Sequence, residues 1–275
     1  MIVSGASVAG AAHLDAGRGC EDAFRAVRTD HGVVLAVADG VGSRPRAALG
    51  AHLAVDTACR VLTAVPAPGP DADAGRWSAW TADRGARLAE SCLRRARSLT
   101  GGEDAGADAG ELAAALLVAL VRAPWVAFVS LGDCFAAVLT RTTGPDGRAE
   151  RHERCHLVLP PPVPDGPPPA WTTSPAAPLR VRTFSLWEPE LSGVVLATDG
   201  CAPLALDHPS ARGLPAAAGP QPSPRFLPAL AAALRRSGGA AAPLHALLAG
   251  PAAAERTGDD LTLLCALVED GREWS

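Results

Sequence analysis

The chain has no lysine and no tyrosine. Its fixed side-chain cations are therefore all arginine, and they gather into no basic block. With a formal net charge of −4, this excludes nucleic acid as the main partner, because phosphate backbones are gripped by clustered cations. The seven cysteines, at 20, 59, 92, 134, 155, 201 and 265, include no Cys-x-x-Cys pair. Their spacing fits neither a zinc knuckle nor the disulfide framework of a secreted protein. A reducing, cytoplasmic setting suits it best. The longest clean apolar stretch, 112–121, is too short to cross a bilayer, so no membrane partner is expected. The first fourteen residues lack a basic leader, and no signal peptide is expected. No internal repeat and no domain boundary is evident. The 275 residues read as one domain, with a proline-rich irregular insertion at about 160–178.

Hydrophobic residues make up 48% of the chain and charged residues 20%, enough for a sizeable core. A first strand is expected over 2–11. Residues 23–28 alternate apolar and charged, as a half-buried strand does, and 33–38 form the unbroken aliphatic run of a buried one. Short turns would link the three into an antiparallel meander. Apolar residues at helical spacing predict helices over 47–65 and 77–99. The second carries Arg84, Arg87, Arg94, Arg95 and Arg97 on its expected solvated side. An acidic, glycine-rich loop follows at 100–110. Strands are expected at 112–121, 125–131, 135–141 and 151–159, with a turn at 142–147. Further on come strands at 181–186 and 194–198, helices at 226–236 and 244–248, and a last strand at 261–268. This order predicts an α+β protein with largely antiparallel sheets.

One structural role recurs among the acids. Asp39 and Asp199 each end an apolar strand and precede a glycine. Asp133 follows a glycine between two strands, while Glu21 and Asp22 precede one strand and Asp259 and Asp260 another. A single Asp-Gly after a strand is a turn. Repetition at strand ends points instead to a shared site. Carboxylates brought together repel one another unless cations neutralise them. Hard divalent ions, Mg2+ or Mn2+, take such oxygen-only sites, and two of them can clamp a phosphoryl group.

Five segments, in order, are Cys20-Glu21-Asp22, Val37-Ala38-Asp39-Gly40-Val41-Gly42, Leu131-Gly132-Asp133-Cys134, Ala197-Thr198-Asp199-Gly200 and Gly258-Asp259-Asp260-Leu261-Thr262. Together they resemble the ordered motifs of the metal-dependent type 2C protein phosphatases. The opening Gly10-Ala11-Ala12-His13 and Gly19-Cys20-Glu21-Asp22 are similar to a bacterial branch of that family. The resemblance implies a four-layer αββα sandwich, two antiparallel sheets flanked by helices, with two Mn2+ or Mg2+ ions at one end. By the same resemblance Asp39 would bridge the ions and the Gly40 carbonyl would bind one of them. Asp199 and Asp259 would hold the first ion, and Glu21 the second, with Asp22 close by. Asp133 would assist a weaker third ion, and Asp260 would be a support. The implied reaction is hydrolysis of a phosphomonoester by a metal-bridging hydroxide, without a nucleophilic cysteine. The implied partners are a phosphoserine or phosphothreonine protein and an opposing kinase.

The family usually places an arginine four residues before the first-motif glutamate, to hold the phosphate. Position 17 is glycine here. His13, Arg18, Arg44 and Arg46 are the candidates to replace that arginine. Two rival readings stay open: a catalytically weak or inactive binding module, and a small-molecule phosphatase on the same scaffold. Cys20, Cys134 and Cys201 flank the acids; they read as packing residues, with oxidation-sensitive activity as the sharper alternative.

Overall fold

The computed structural model describes residues 1–101, 108–142, 152–162 and 168–269. In chain order these form β1 (Ile2–Val8), α1 (Ala11–Asp15), β2 (Asp22–Thr29), β3 (Gly32–Gly40), α2 (Ala47–Thr63), α3 (Ala74–Leu99), β4 (Ala114–Arg122), β5 (Trp125–Leu131), β6 (Phe135–Thr142) and β7 (His152–Leu159). Then follow α4 (Ala177–Arg180), β8 (Arg182–Trp187), β9 (Leu191–Ala197), α5 (Ala202–Ala205), the two-residue strands β10 (Leu206–Asp207) and β11 (Gln221–Pro222), α6 (Leu227–Arg236), α7 (Ala241–Leu248), α8 (Pro251–Ala254) and β12 (Leu261–Leu267).

Two five-stranded sheets result, in the orders β2-β3-β4-β5-β8 and β1-β12-β9-β6-β7. All their pairings are antiparallel. Side chains alternate across each strand, and both faces are used. Val33, Leu35 and Val37 of β3 share an apolar cluster with Val194, Leu196, Leu264 and Ala266 of the other sheet. The alternate residues, Val34, Ala36 and Ala38, join Val55, Cys59 and Leu62 of α2 and Trp77 and Leu88 of α3. On the far side, Val195, Ala197, Leu263 and Cys265 cluster with Leu227, Leu230 and Leu234 of α6 and Leu244 and Leu248 of α7. The layers run helix, sheet, sheet, helix, which is the αββα sandwich. Because helices cover the outer faces, the central strands lack the polar side common in antiparallel sheets and read as unbroken aliphatic runs.

Several expectations need correction. The first strand stops at Val8, and a helical turn carries Ala11–Asp15. No three-stranded meander forms: β2 and β3 pair, but β1 lies in the other sheet, antiparallel to β12, with Ser4 opposite Cys265. Residues 9–21 carry the chain across from one sheet to the other. Arg84 is not solvated. It is buried, and its guanidinium pairs with the exposed carboxylate of the adjacent Asp83, which also receives Arg87 Nε at 3.0 Å. The second helix starts at Ala74 rather than 77, since Asp73 caps it by accepting the Arg76 N–H at 2.9 Å. In the proline-rich stretch, Thr172 is anchored in the core: its N–H donates to the Ala114 carbonyl at 2.9 Å, and its hydroxyl accepts the Ala114 N–H at 3.2 Å. The middle of that stretch (163–167), the centre of the acidic loop (102–107) and the expected turn at 143–147 lie outside the described residues.

Trp77 ties α3 to its sheet. Its fully buried ring stacks on Trp125 with centroids 5.4 Å apart, and its indole N–H donates to the Gly69 carbonyl at 3.1 Å. Trp77→Ala is expected to cost about 3–5 kcal/mol, read from the midpoint of a urea titration. A loss below about 1 kcal/mol would contradict this account of the packing.

Candidate metal centre

At one end of the sandwich β2 and β12 begin, while β3, β5 and β9 end. Alternation then decides which side chains meet. Asp39, two residues after Val37, falls on the face directed at the other sheet. The β2–β3 register sets Asp22 opposite Asp39. From the facing sheet, Asp199 enters in the turn just after β9. Asp133 comes from the crossing between β5 and β6. There Gly132 has φ +92°, and a Cβ on it would come within 2.5 Å of the Ala115 Cβ, so only glycine allows the crossing. Carboxylate oxygens of Asp39, Asp133 and Asp199 all lie within 4.8 Å of one another.

These acids sit where charge is costly. Burial, reinforced by Asp22 and Asp199, holds the Asp39 carboxyl far above the usual carboxylate range. Burial also raises Asp22, against hydrogen bonds from Thr198 and Thr262 that favour its charged form. Asp133 is pushed up to about 6 by burial and by Asp199. Asp259 is raised by burial, with Asp199 and Asp260 adding to it. Asp259 is thus within electrostatic reach of Asp199, although it lies outside the closest trio.

Glu21 and Asp260 form a second group beside the first. Asp260 Oδ1 accepts the Gly10 N–H at 2.7 Å and Oδ2 the Glu21 N–H at 2.6 Å. One carboxylate thereby clasps both ends of the 9–21 crossing to the start of β12. Adjacent Asp259 is turned the other way and accepts the Asp260 N–H at 2.9 Å. Arg18 Nη1 donates to Glu21 Oε1 at 3.2 Å and to the Gly42 carbonyl at 2.9 Å. His13 is buried between Asp260 and Glu21. The Gly40 N–H donates to the Glu21 carbonyl at 3.2 Å. Arg44 lies exposed on the turn after β3 and Arg46 is half-buried there.

Two supporting residues had no assigned role in the sequence reading. The Thr198 hydroxyl donates to Asp22 Oδ2 at 2.8 Å and accepts the Thr262 N–H at 3.1 Å, joining the two sheets under the acids. Its place directly before Asp199 was the available signal. Arg182 Nη2 donates to Ser130 Oγ at 3.0 Å and to the Gly132 carbonyl at 3.2 Å, bracing the Asp133 turn. Nothing local in the sequence marks it. Cys134 and Cys201 are fully buried and their thiols are held well above the ordinary value, chiefly by burial. Burial pushes Cys20 up to about 12. Cys134 and Cys201 pack as small apolar side chains, while Cys20 is half-buried. A cavity of about 490 Å³ beside Arg28, His31 and Arg122 lies at the opposite end of the sandwich, away from the acids.

The raised carboxyls have a consequence for stability. In the unfolded chain these groups titrate near pH ~4. Their contribution to folding is complete below that value and is lost as pH rises through the folded values, about 6 for Asp133 and higher for Asp39. For chelator-treated protein, the Tm is expected to fall from pH 5 to pH 8 more steeply than in Asp39→Asn. The variant should be the more stable at pH 8, by on the order of 1 kcal/mol. Superimposable Tm profiles would remove the repulsion.

Comparison with known proteins gives the same outline. No curated protein sequence matches the chain. Solved structures do. A bacterial serine phosphatase, 12% identical, aligns over 99% of this chain and 100% of its own with a TM-score of 0.60. The serine-threonine phosphatase 2C from Toxoplasma gondii, 14% identical, aligns over 97% of this chain and 94% of its own with a TM-score of 0.62. The Mycobacterium tuberculosis serine/threonine phosphatase PstP/Ppp, 15% identical, aligns over 98% and 100% with a TM-score of 0.57. At these identities the likeness carries the fold. The family model for protein phosphatase 2C matches residues 9–156, more than half of the sequence, and takes in Glu21, Asp22, Asp39 and Asp133. This chain belongs to the protein phosphatase 2C family.

Proposed function

We propose that the chain is a metal-dependent protein serine/threonine phosphatase that hydrolyses phosphomonoesters with two Mn2+ or Mg2+ ions and a third held more weakly. The observation that carries this reading is the convergence of Asp39, Asp133 and Asp199 within 4.8 Å. The donors suit such ions: they are oxygens, and Asp22 Oδ1, Asp133 Oδ1 and Glu21 Oε2 are buried without a hydrogen-bond partner. Divalent charge would also offset the burial, and the repulsion added to it, that hold these carboxyls above their ordinary range. Asp39 would bridge the two ions. Asp199 and Asp259 would hold one, and Glu21 with the Gly40 carbonyl the other. Asp22 stands alongside, and Asp133 serves the third. When bound, the ions supply Lewis-acid activation of water and neutralise phosphoryl charge.

The chain's own residues keep the acids in place. Thr198 orients Asp22, Arg182 braces the Asp133 turn, and Asp260 fixes the backbone of Glu21. Arg18, with its guanidinium partly exposed beside Glu21 and Gly42, is the first candidate to receive a phosphate, with His13 and Arg44 behind it. The protein works as a single domain in the cytoplasm on phosphoserine or phosphothreonine proteins, opposing a kinase. One observation favours a binding-only module instead: position 17 is glycine, and Arg18 Nη1 is already engaged by Glu21 and the Gly42 carbonyl.

Mn2+-dependent hydrolysis of p-nitrophenyl phosphate and of a phosphothreonine peptide separates the two readings. The phosphatase reading expects turnover that Asp39→Asn and Asp199→Asn each reduce by more than about 100-fold, the upper range for loss of a mere outer partner, with the circular dichroism spectrum retained. No turnover at any Mn2+ concentration favours the binding module. Unchanged activity in either variant removes the site assignment.

A further inference from the structure

His13 stands outside the oxygen donor set, yet its ring is built into the same end of the molecule. It is 8% exposed. Nδ1 lies 2.8 Å from Asp260 Oδ2, a close polar contact off the line of an ideal hydrogen bond. Asp260 is itself fixed by the Gly10 and Glu21 N–H groups. A carboxylate beside Nδ1 favours the tautomer protonated there and leaves the lone pair on Nε2, as in carboxylate–histidine–metal arrangements.

Nε2 faces a matching group. Glu21 Oε2 is 3.9 Å away, buried, and without a hydrogen-bond partner. Arg18 occupies the other oxygen, Oε1. Both free atoms border the position above Gly42, where a Cβ would sit 3.5 Å from Oε2, 3.7 Å from Nε2 and 4.0 Å from Arg18 Nη1, the guanidinium that is held on Oε1 and the Gly42 carbonyl. An imidazole lone pair and a carboxylate oxygen repel an anion and suit a cation. Two metal–ligand bonds of about 2.0–2.2 Å each span slightly more than this separation, so one ion reaches both atoms.

The geometry points to a divalent-cation site in which His13 Nε2 and Glu21 Oε2 are two of the ligands. A nitrogen donor is thereby added to an otherwise oxygen-only centre. Imidazole binds transition ions far better than Mg2+, so this position selects Mn2+, Co2+ or Zn2+ over Mg2+. The assignment rests on the metal-dependent reading above, and it moves His13 from the phosphate to the metal.

The test is electron spin-echo modulation of the full-length protein, stripped with chelator and reloaded with Mn2+. Modulation from a directly bonded 14N is expected, converting to the 15N pattern when the protein is made with 15N-histidine. The isotope arm needs no mutation, so a variant that fails to fold leaves it intact. His13→Gln should abolish the coupling and lower the preference for Mn2+ over Mg2+ by about 10-fold or more. Tight Mn2+ binding without nitrogen coupling overturns this inference and leaves the metal-dependent reading standing. No Mn2+ binding overturns both. If inorganic phosphate alone, without metal, shifts the His13 ring nitrogens, the site takes anions and the inference is overturned.

Discussion

The cost of gathering carboxylates where water is largely excluded, with their mutual repulsion added, is the constraint on which this end of the molecule depends. Asp39, Asp22, Asp133 and Asp259 are each held more protonated than a free carboxyl. Such a cluster persists only if the surrounding fold over-determines it. Here the determination comes from both sheets at once. Thr198 reaches from the end of β9 to Asp22 on β2, and Asp260 reaches from the start of β12 to Gly10 and Glu21. The acids cannot move apart without separating the sheets that carry them.

The sandwich makes this possible through a simple parity. Each central strand buries one set of side chains against the opposite sheet and the other set under helices. At the penultimate position of β3, the parity that placed Leu35 and Val37 between the sheets places Asp39 there too. Hydrophobic packing thus aims the carboxylate, and no separate device is required. The cost is local, since the same burial that aims Asp39 also opposes its ionisation.

Much of this was legible in the chain. Strands buried on both faces leave unbroken aliphatic runs, so 33–38, 125–131, 194–198 and 261–268 stood out, and each adjoins an acid. Pairing was less legible. Whether β1 joins β2 or β12 is decided by contacts between the two ends of the sequence, and no local pattern encodes them. Arg84 was misread for a related reason: helical spacing gives a direction, while burial depends on which strands the helix packs against. Adjacent Asp259 and Asp260 look equivalent as letters. The strand separates them, sending one toward Asp199 and the other under the 9–21 crossing. His13 and Asp260 are in contact across almost the whole chain, beyond the range of any motif.

The pairing of β1 with β12 also governs timing. β12 is the last strand of its sheet to be made, yet it sits inside that sheet, between β1 and β9. At ribosomal speeds of about 5–20 residues per second, β1 waits unpaired for on the order of 10–50 s until β12 has been made. Until then β1 and β9 each present an open edge, the kind of surface that invites pairing between chains. Asp259 and Asp260 arrive with that final strand. A nascent chain therefore cannot gather these acids until β12 has been made and has entered between β1 and β9.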